Sequence, residues 1–205
     1  MSNLLNEYPL SNKQFEHLIL ELRRPLRTFV NDVFSSEIGA KFKTLPASIN
    51  HHHNYPGGLF IHSIECALLA GQVALTIMSR AEAELTMVAA LIHDIGKCRT
   101  FNQNVVHSEL SKFISHDATT LELIAPFLNK LDIDWKLGAN ILRHLLSTDH
   151  RPGAFPAFPG KLLVKMADQV STAVNRRQMI FSTHPSHHYF AYDPSCKQPY
   201  LRVPR

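Results

Sequence analysis

The chain has 205 residues, 45% of them apolar and 19% charged, a composition that supports one folded core and excludes disorder of the whole. Its net charge is +4, and the stretch from residue 171 to 205 holds five basic residues against one acid, so this tail supplies the whole excess. A balanced body argues against a nucleic-acid-coating surface, although the tail itself could meet a polyanion.

Helical signals begin at Ser11, where Ser-Asn-Lys-Gln reads as a capping box, and Phe15, Leu18, Ile19, Leu22, Phe29, Val30 and Val33 keep helical spacing. Pro25 predicts a kink or two shorter helices. Residues 45–58, with two prolines and a Gly-Gly pair, read as a loop. Apolar runs over 59–78 and 82–95 predict two buried helices, the second stopping at Gly96 as a C-terminal glycine. Further helical patterns cover about 108–116, 117–128, 134–146 and 161–177, with a proline-broken loop at 151–160. Beyond Gln178 an irregular arm or linker is expected, and no strand. The reading is all-α: a helical segment over 1–44 packed on a core at 45–177, then a basic tail over 178–205.

The start of the chain has no signal-peptide pattern, and no run approaches the roughly 20 uncharged apolar residues of a membrane span. Cys66, Cys98 and Cys196 are odd in number and scattered, which argues against a disulfide framework or a thiolate zinc site. A cytoplasmic setting is therefore expected, with no membrane partner. Cys66, beside Ala67-Leu68-Leu69, reads as a small buried residue.

The chemistry concentrates in Ala-Ala-Leu-Ile-His93-Asp94-Ile-Gly-Lys97. Imidazole and carboxylate are complementary ligands for a borderline divalent ion. Adjacent residues on a helix point about 100° apart, so other helices must complete the set. His62, His116, His144 and Asp168 stand in or beside helical stretches, where an unpaired Asp is costly and a cation offsets the cost. Lys97, three residues past Asp94, either faces the same side or neutralises a helix C-terminus.

A His, then His-Asp, then a distant Asp, here His62, His93-Asp94 and Asp168, resembles the HD-domain superfamily of metal-dependent phosphohydrolases. The likeness covers about residues 45–177. The run HHHNYPGGLFIHS and the segment Lys165-Met-Ala-Asp168-Gln-Val-Ser171 are similar to the HD-like first domain of conjugative relaxases, and the former also to the HD module of 3′-5′ exoribonucleases.

The resemblance implies a helical bundle with a metal site at its centre, held by His62, His93, Asp94 and Asp168, and a second ion drawing on His116 and His144. The implied cofactor is one or two divalent transition ions, Mn, Fe or Ni first, Zn or Mg otherwise. Asp94 and Lys97 would be catalytic, and His53, Gly58 and Lys97 would meet the substrate, with a solvated tract the other reading of His51, His52 and His53. His116 and His144 as structural histidines in a mononuclear site is the alternative for those two. His150 is read as a turn residue, and Phe155 and Phe158 as pins of their loop rather than base-stacking groups.

The expected activity is metal-assisted hydrolysis of a phosphomonoester or phosphodiester in a nucleotide or at a nucleic-acid end. The alternatives are a metal-bearing DNA- or protein-binding domain of a conjugation-type assembly, within a longer polypeptide, and an ion that only holds helices together.

Overall fold

The computed structural model describes residues 4–49, 51–101, 106–148 and 155–203, with side chains from residue 12 onward. His150 and the first four residues of the proline-broken loop, 151–154, lie outside the described residues.

Helix α1 (Leu4–Glu21) begins upstream of the expected start, so Ser11 lies inside it; a capping-box pattern permits a helix start without requiring one. Pro25 falls at the second position of α2 (Arg24–Phe34), where its missing N–H would be unpaired in any case. A short α3 (Glu37–Phe42) follows, started by the Ser36 hydroxyl, which accepts from the Gly39 N–H at 3.3 Å. Phe15, Phe34 and Phe60 then meet with ring centroids 4.8–6.0 Å apart, tying α1 and α2 to α4 (Gly58–Ile77).

The turn into α4 uses Gly57 at φ 80°, a left-handed conformation that favours glycine. By length and composition α4 could cross a membrane, contrary to the expectation that no stretch qualifies; 56% of its most apolar window is buried inside the fold. It packs on α5 (Arg80–Ile92) and α8 (Gly160–Phe181), and these three helices form the centre of the molecule. A reciprocal capping box starts α5: Ser79 Oγ accepts from the Glu82 N–H, and Glu82 accepts from the Ser79 N–H at 3.0 Å.

The second apolar run ends at Ile92, not at Gly96, and Gly96 is no left-handed cap: it has φ −59° and opens the single turn α6 (Lys97–Thr100). Its lack of a side chain serves contact instead. A Cβ there would stand 1.8 Å from the His116 carbonyl oxygen and 2.6 Å from Thr119 Oγ1. Thr119 and Thr120 lie in the first turn of α7 (His116–Leu146), which follows a 3₁₀ turn (Glu109–Lys112). Thr120 Oγ1 accepts from the Gly96 N–H at 3.1 Å, and Thr119 Oγ1 donates to the Gly96 carbonyl at 3.1 Å. The two patterns expected over 117–128 and 134–146 form one run broken at Trp135, whose φ of −156° and ψ of 76° are not helical.

The N-terminal helices are also fastened by a buried acid. Glu84 on α5 accepts from the Arg23 backbone N–H and Nε at 2.9 Å and from Arg80 Nε at 3.0 Å, while Arg23 lies over the Trp135 ring. The tail corrects the expectation of an irregular arm: β1 (Phe190–Asp193) pairs antiparallel with β2 (Gln198–Leu201), Ala191 opposite Tyr200. The connecting turn is set by Asp193, which accepts from the Ser195 N–H and hydroxyl, and by Lys197 at φ 54°.

The Gly96 contact gives a direct test. Gly96→Ala must push apart two backbone segments, so a loss of about 3 kcal/mol or more of unfolding free energy is expected in urea titration. Near-native stability would show that the approach of α6 and α7 is not tight.

Candidate metal centre

The structure brings His62, His93, Asp94 and Asp168 together from α4, the end of α5, the turn beyond it, and α8. His62 Nε2 lies 3.2 Å from Asp168 Oδ1 and 3.8 Å from Asp94 Oδ2. His93 Nε2 lies 3.5 Å from Asp94 Oδ2 and 3.9 Å from Asp168 Oδ1. His62 and Asp94 are buried, whereas the Asp168 side chain is 42% exposed and opens the site to solvent.

The hydrogen bonds behind the imidazoles decide what the front can hold. His93 Nδ1 faces the Ala90 carbonyl at 2.8 Å; a carbonyl only accepts, so Nδ1 carries the proton. Its Nε2 is left buried without a hydrogen-bond partner. His62 Nδ1 faces Ser171 Oγ at 2.9 Å, and that hydroxyl gives its one proton to Glu65 Oε2 at 2.6 Å, so it must accept from His62. These assignments follow from the bonding pattern. Each ring therefore presents an Nε2 lone pair to carboxylate oxygens, an arrangement that repels unless a cation stands between. A divalent metal ion fits this donor set of two imidazoles and two carboxylates.

The same neighbours hold both carboxylates as anions. Burial works against ionisation of Asp94, yet Lys97, His93 and His116 together hold its carboxyl well below the usual range. Asp168 is likewise depressed despite its burial, through His62 and His93. Burial lowers the His62 pKa. For His93 burial acts in the same sense, but the carboxylates of Asp94 and Asp168 outweigh it and its pKa is raised.

Lys97 Nζ donates to Asp94 Oδ2 at 2.6 Å and to the Ala47 carbonyl at 2.7 Å. It thus faces the side of Asp94 and holds that carboxylate. His116 Nε2 takes the other oxygen, Asp94 Oδ1, at 3.1 Å and also lies 3.2 Å from Asp117. His144 stands apart, its Nε2 accepting from the Phe158 N–H at 3.4 Å.

The three consecutive histidines separate. His51 meets Arg176 at 3.2 Å, His52 lies on the His62 ring with centroids 5.1 Å apart, and His53 is buried. Burial and then the neighbouring His62 pull the His52 pKa down to about 4. The close approach at Gly58 is to the protein itself: a Cβ would stand 2.1 Å from the His53 carbonyl oxygen. Phe158 packs on the core as expected of a pin, but Phe155 is 90% exposed and pins nothing.

Cys66 gains a neighbour that its apolar context did not announce. Its Sγ lies 3.6 Å from His62 Nε2, and its donor atom, with those of His62, His93 and Asp168, falls within 4.8 Å of the others. Its position one turn after His62 on the same helix is the signal that could have found it. Burial, then Asp168 and Asp94, push its thiol pKa up. Ser171 and Glu65 were likewise not expected at the site.

A family model for the HD domain matches residues 59–173. The chain belongs to the HD domain family. A second model, described as "Putative helicase", matches residues 1–105, and the chain belongs to that family too, in keeping with the resemblance to relaxase domains. Curated relatives are 3′-5′ exoribonucleases named YhaM. That of Listeria monocytogenes serotype 4b is 26% identical over 129 residues, 62% of this chain and 40% of the relative. That of Bacillus licheniformis is 25% identical over 134 residues, 64% and 42% respectively. That of Halalkalibacterium halodurans is 21% identical over 186 residues, 85% of this chain. The chain spans 40% to 58% of the length of these relatives. No solved structure matches significantly.

The bonding pattern makes a spectroscopic prediction. Long-range ¹H–¹⁵N correlations, followed upward in pH until both rings have titrated to the neutral form, are expected to show His62 and His93 protonated at Nδ1 alone. A ring protonated at Nε2 instead would remove the argument for a cation between the side chains.

Proposed function

We propose that this chain is a metal-dependent phosphohydrolase acting on a phosphate ester in a nucleotide or at a nucleic-acid end. The observation that carries the reading is the pair of buried Nε2 lone pairs directed at two carboxylates. The HD-domain match supports the hydrolase class, and the exoribonuclease relatives support the substrate class.

His62, His93, Asp94 and Asp168 would hold the ion, with Mn, Fe or Ni the metals best suited to a mixed imidazole and carboxylate set. Bound there, it supplies Lewis acidity towards a phosphate oxygen and towards water. A second ion would draw on His116 and Asp94 Oδ1; His144 would join only by giving up its contact with Phe158. Asp94 is the central group because Lys97 and His116 fix both of its oxygens.

Lys97 has three donors and uses two, so its third N–H can meet a phosphate oxygen without releasing Asp94. It thereby adds positive charge where the leaving oxygen becomes negative. With a single ion bound, His116, at the partly exposed edge, is free to carry a proton to that oxygen instead of holding a second metal. The exposed flank of Asp168 leaves an open side through which a phosphate chain end can reach the donors. A grip on polyanions by the tail has less support. Arg176 is bound to Asp193, and Arg202 donates to the carbonyls of Phe181, His184 and His188.

Elemental analysis of tag-free protein, combined with bis-p-nitrophenyl phosphate hydrolysis on the same sample, tests the reading. Metal content of one or two ions per chain with turnover is expected. Asp94→Ala should abolish both, and retained turnover in that variant would refute the assignment. At a free Mn²⁺ concentration of about 100 times Kd, the wild type should gain about 2.7 kcal/mol of stability, and Asp94→Ala none.

A further inference from the structure

Behind His62, on the side away from the carboxylates, a chain of contacts crosses three parts of the fold. His62 Nδ1–H donates to Ser171 Oγ, Ser171 donates to Glu65 Oε2, and the same oxygen lies 3.3 Å from His53 Nε2. Glu65 sits one turn along α4 from His62, and Ser171 one turn along α8 from Asp168. A helical acid with a side chain 48% exposed would ordinarily be a solvated surface group. Here its Oε2 is taken by two donors. Burial opposes its ionisation, but the bonds from His53 and Ser171 prevail and keep it a carboxylate.

Several unusual features converge on placing His53 beneath it. His53 has φ 45°, a left-handed backbone that non-glycine residues seldom adopt. Its N–H donates to Asn175 Oδ1 at 2.9 Å, its carbonyl accepts from the Ala47 N–H at 3.0 Å, and Gly58 leaves room for that carbonyl. Its ring is buried, with Nδ1 unpartnered. Strain of this kind persists only where the surroundings over-determine it.

We propose that Ser171 and Glu65 are positioning residues of the metal centre, a hydroxyl–carboxylate relay, anchored by His53, that fixes the tautomer and orientation of His62. The inference rests on the metal-site reading above and deepens it. The relay keeps the Nε2 lone pair pointed into the donor cluster, and the Glu65 charge, transmitted through the Ser171 hydroxyl, makes that lone pair a better donor. Partners of this kind behind a ligating histidine are worth about 10- to 100-fold in metal affinity.

The test is titration of the purified chain with Mn²⁺, read by electron paramagnetic resonance and by the shift in melting temperature, with circular dichroism confirming helix content. Ser171→Ala is expected to bind Mn²⁺ about 10- to 100-fold more weakly, with His62 losing its single Nδ1–H tautomer by NMR. Ser171→Thr, which keeps the hydroxyl, should restore most of the affinity. Glu65→Gln, a change at a half-exposed position that keeps the shape, should also weaken binding, and it carries the test if Ser171→Ala fails to fold. A wild type that binds Mn²⁺ while the folded Ser171→Ala, or in its place Glu65→Gln, binds equally well would overturn the relay alone. A wild type that binds neither Mn²⁺ nor any other divalent ion would overturn the metal centre and the relay together.

Discussion

Two imidazole nitrogens and two carboxylates converge in one small volume, and the bonds behind the rings decide what that volume can hold. Each imidazole is turned by a bond at its rear: the Ala90 carbonyl holds His93, and the Ser171 hydroxyl holds His62. Neither bond touches the centre, yet together they determine that it attracts positive charge. Lys97 supplies part of that charge to Asp94 without entering the space between the rings. A buried carboxylate is expensive unless it is paired, and Lys97 and His116 supply that pairing to Asp94.

The scaffold serves this by bringing four side chains able to hold a cation, from α4, α8 and the turn that follows α5, into a small volume. Beyond Ile92 the chain passes into a turn from His93 to Gly96, and the adjacent side chains of His93 and Asp94 both reach the cluster. That turn is clamped by α7 through Thr119 and Thr120, which also sets His116 beside Asp94. The threonines, unremarkable in sequence, fix both ends of the turn that carries Asp94.

Much of this was legible in the residues. The long helices follow from apolar runs, the division at Pro25 from proline geometry, and the four-residue cluster from the His…His-Asp…Asp order. What escaped reading depended on contacts distant in sequence. Gly96 looks like a helix stop because glycine often ends helices, while its actual constraint is the His116 carbonyl, twenty positions on. The hairpin over Phe190–Leu201 was hidden because four-residue strands carry too little alternation to stand out among prolines and histidines. Ser171 and Glu65 gave no signal because a hydroxyl or a surface acid acquires meaning only through what faces it, while Cys66 gave one, its place a turn after His62, that its apolar neighbours outweighed. His144 has the right residue type and order, yet its ring is turned to the Phe158 backbone.

The aromatic cluster of Phe15, Phe34 and Phe60 bears on how the chain can be divided. The HD match begins at residue 59, but Phe60 at that border is packed by rings from α1 and α2, and Glu84 inside the matched region is closed over by Arg23. A fragment trimmed to the matched region would expose a sticky aromatic face and strip a buried carboxylate of two of its three donors. The first forty residues are thus less an appendage than the missing wall of the same room, and an evolutionary rearrangement that moved this module would have had to carry them along.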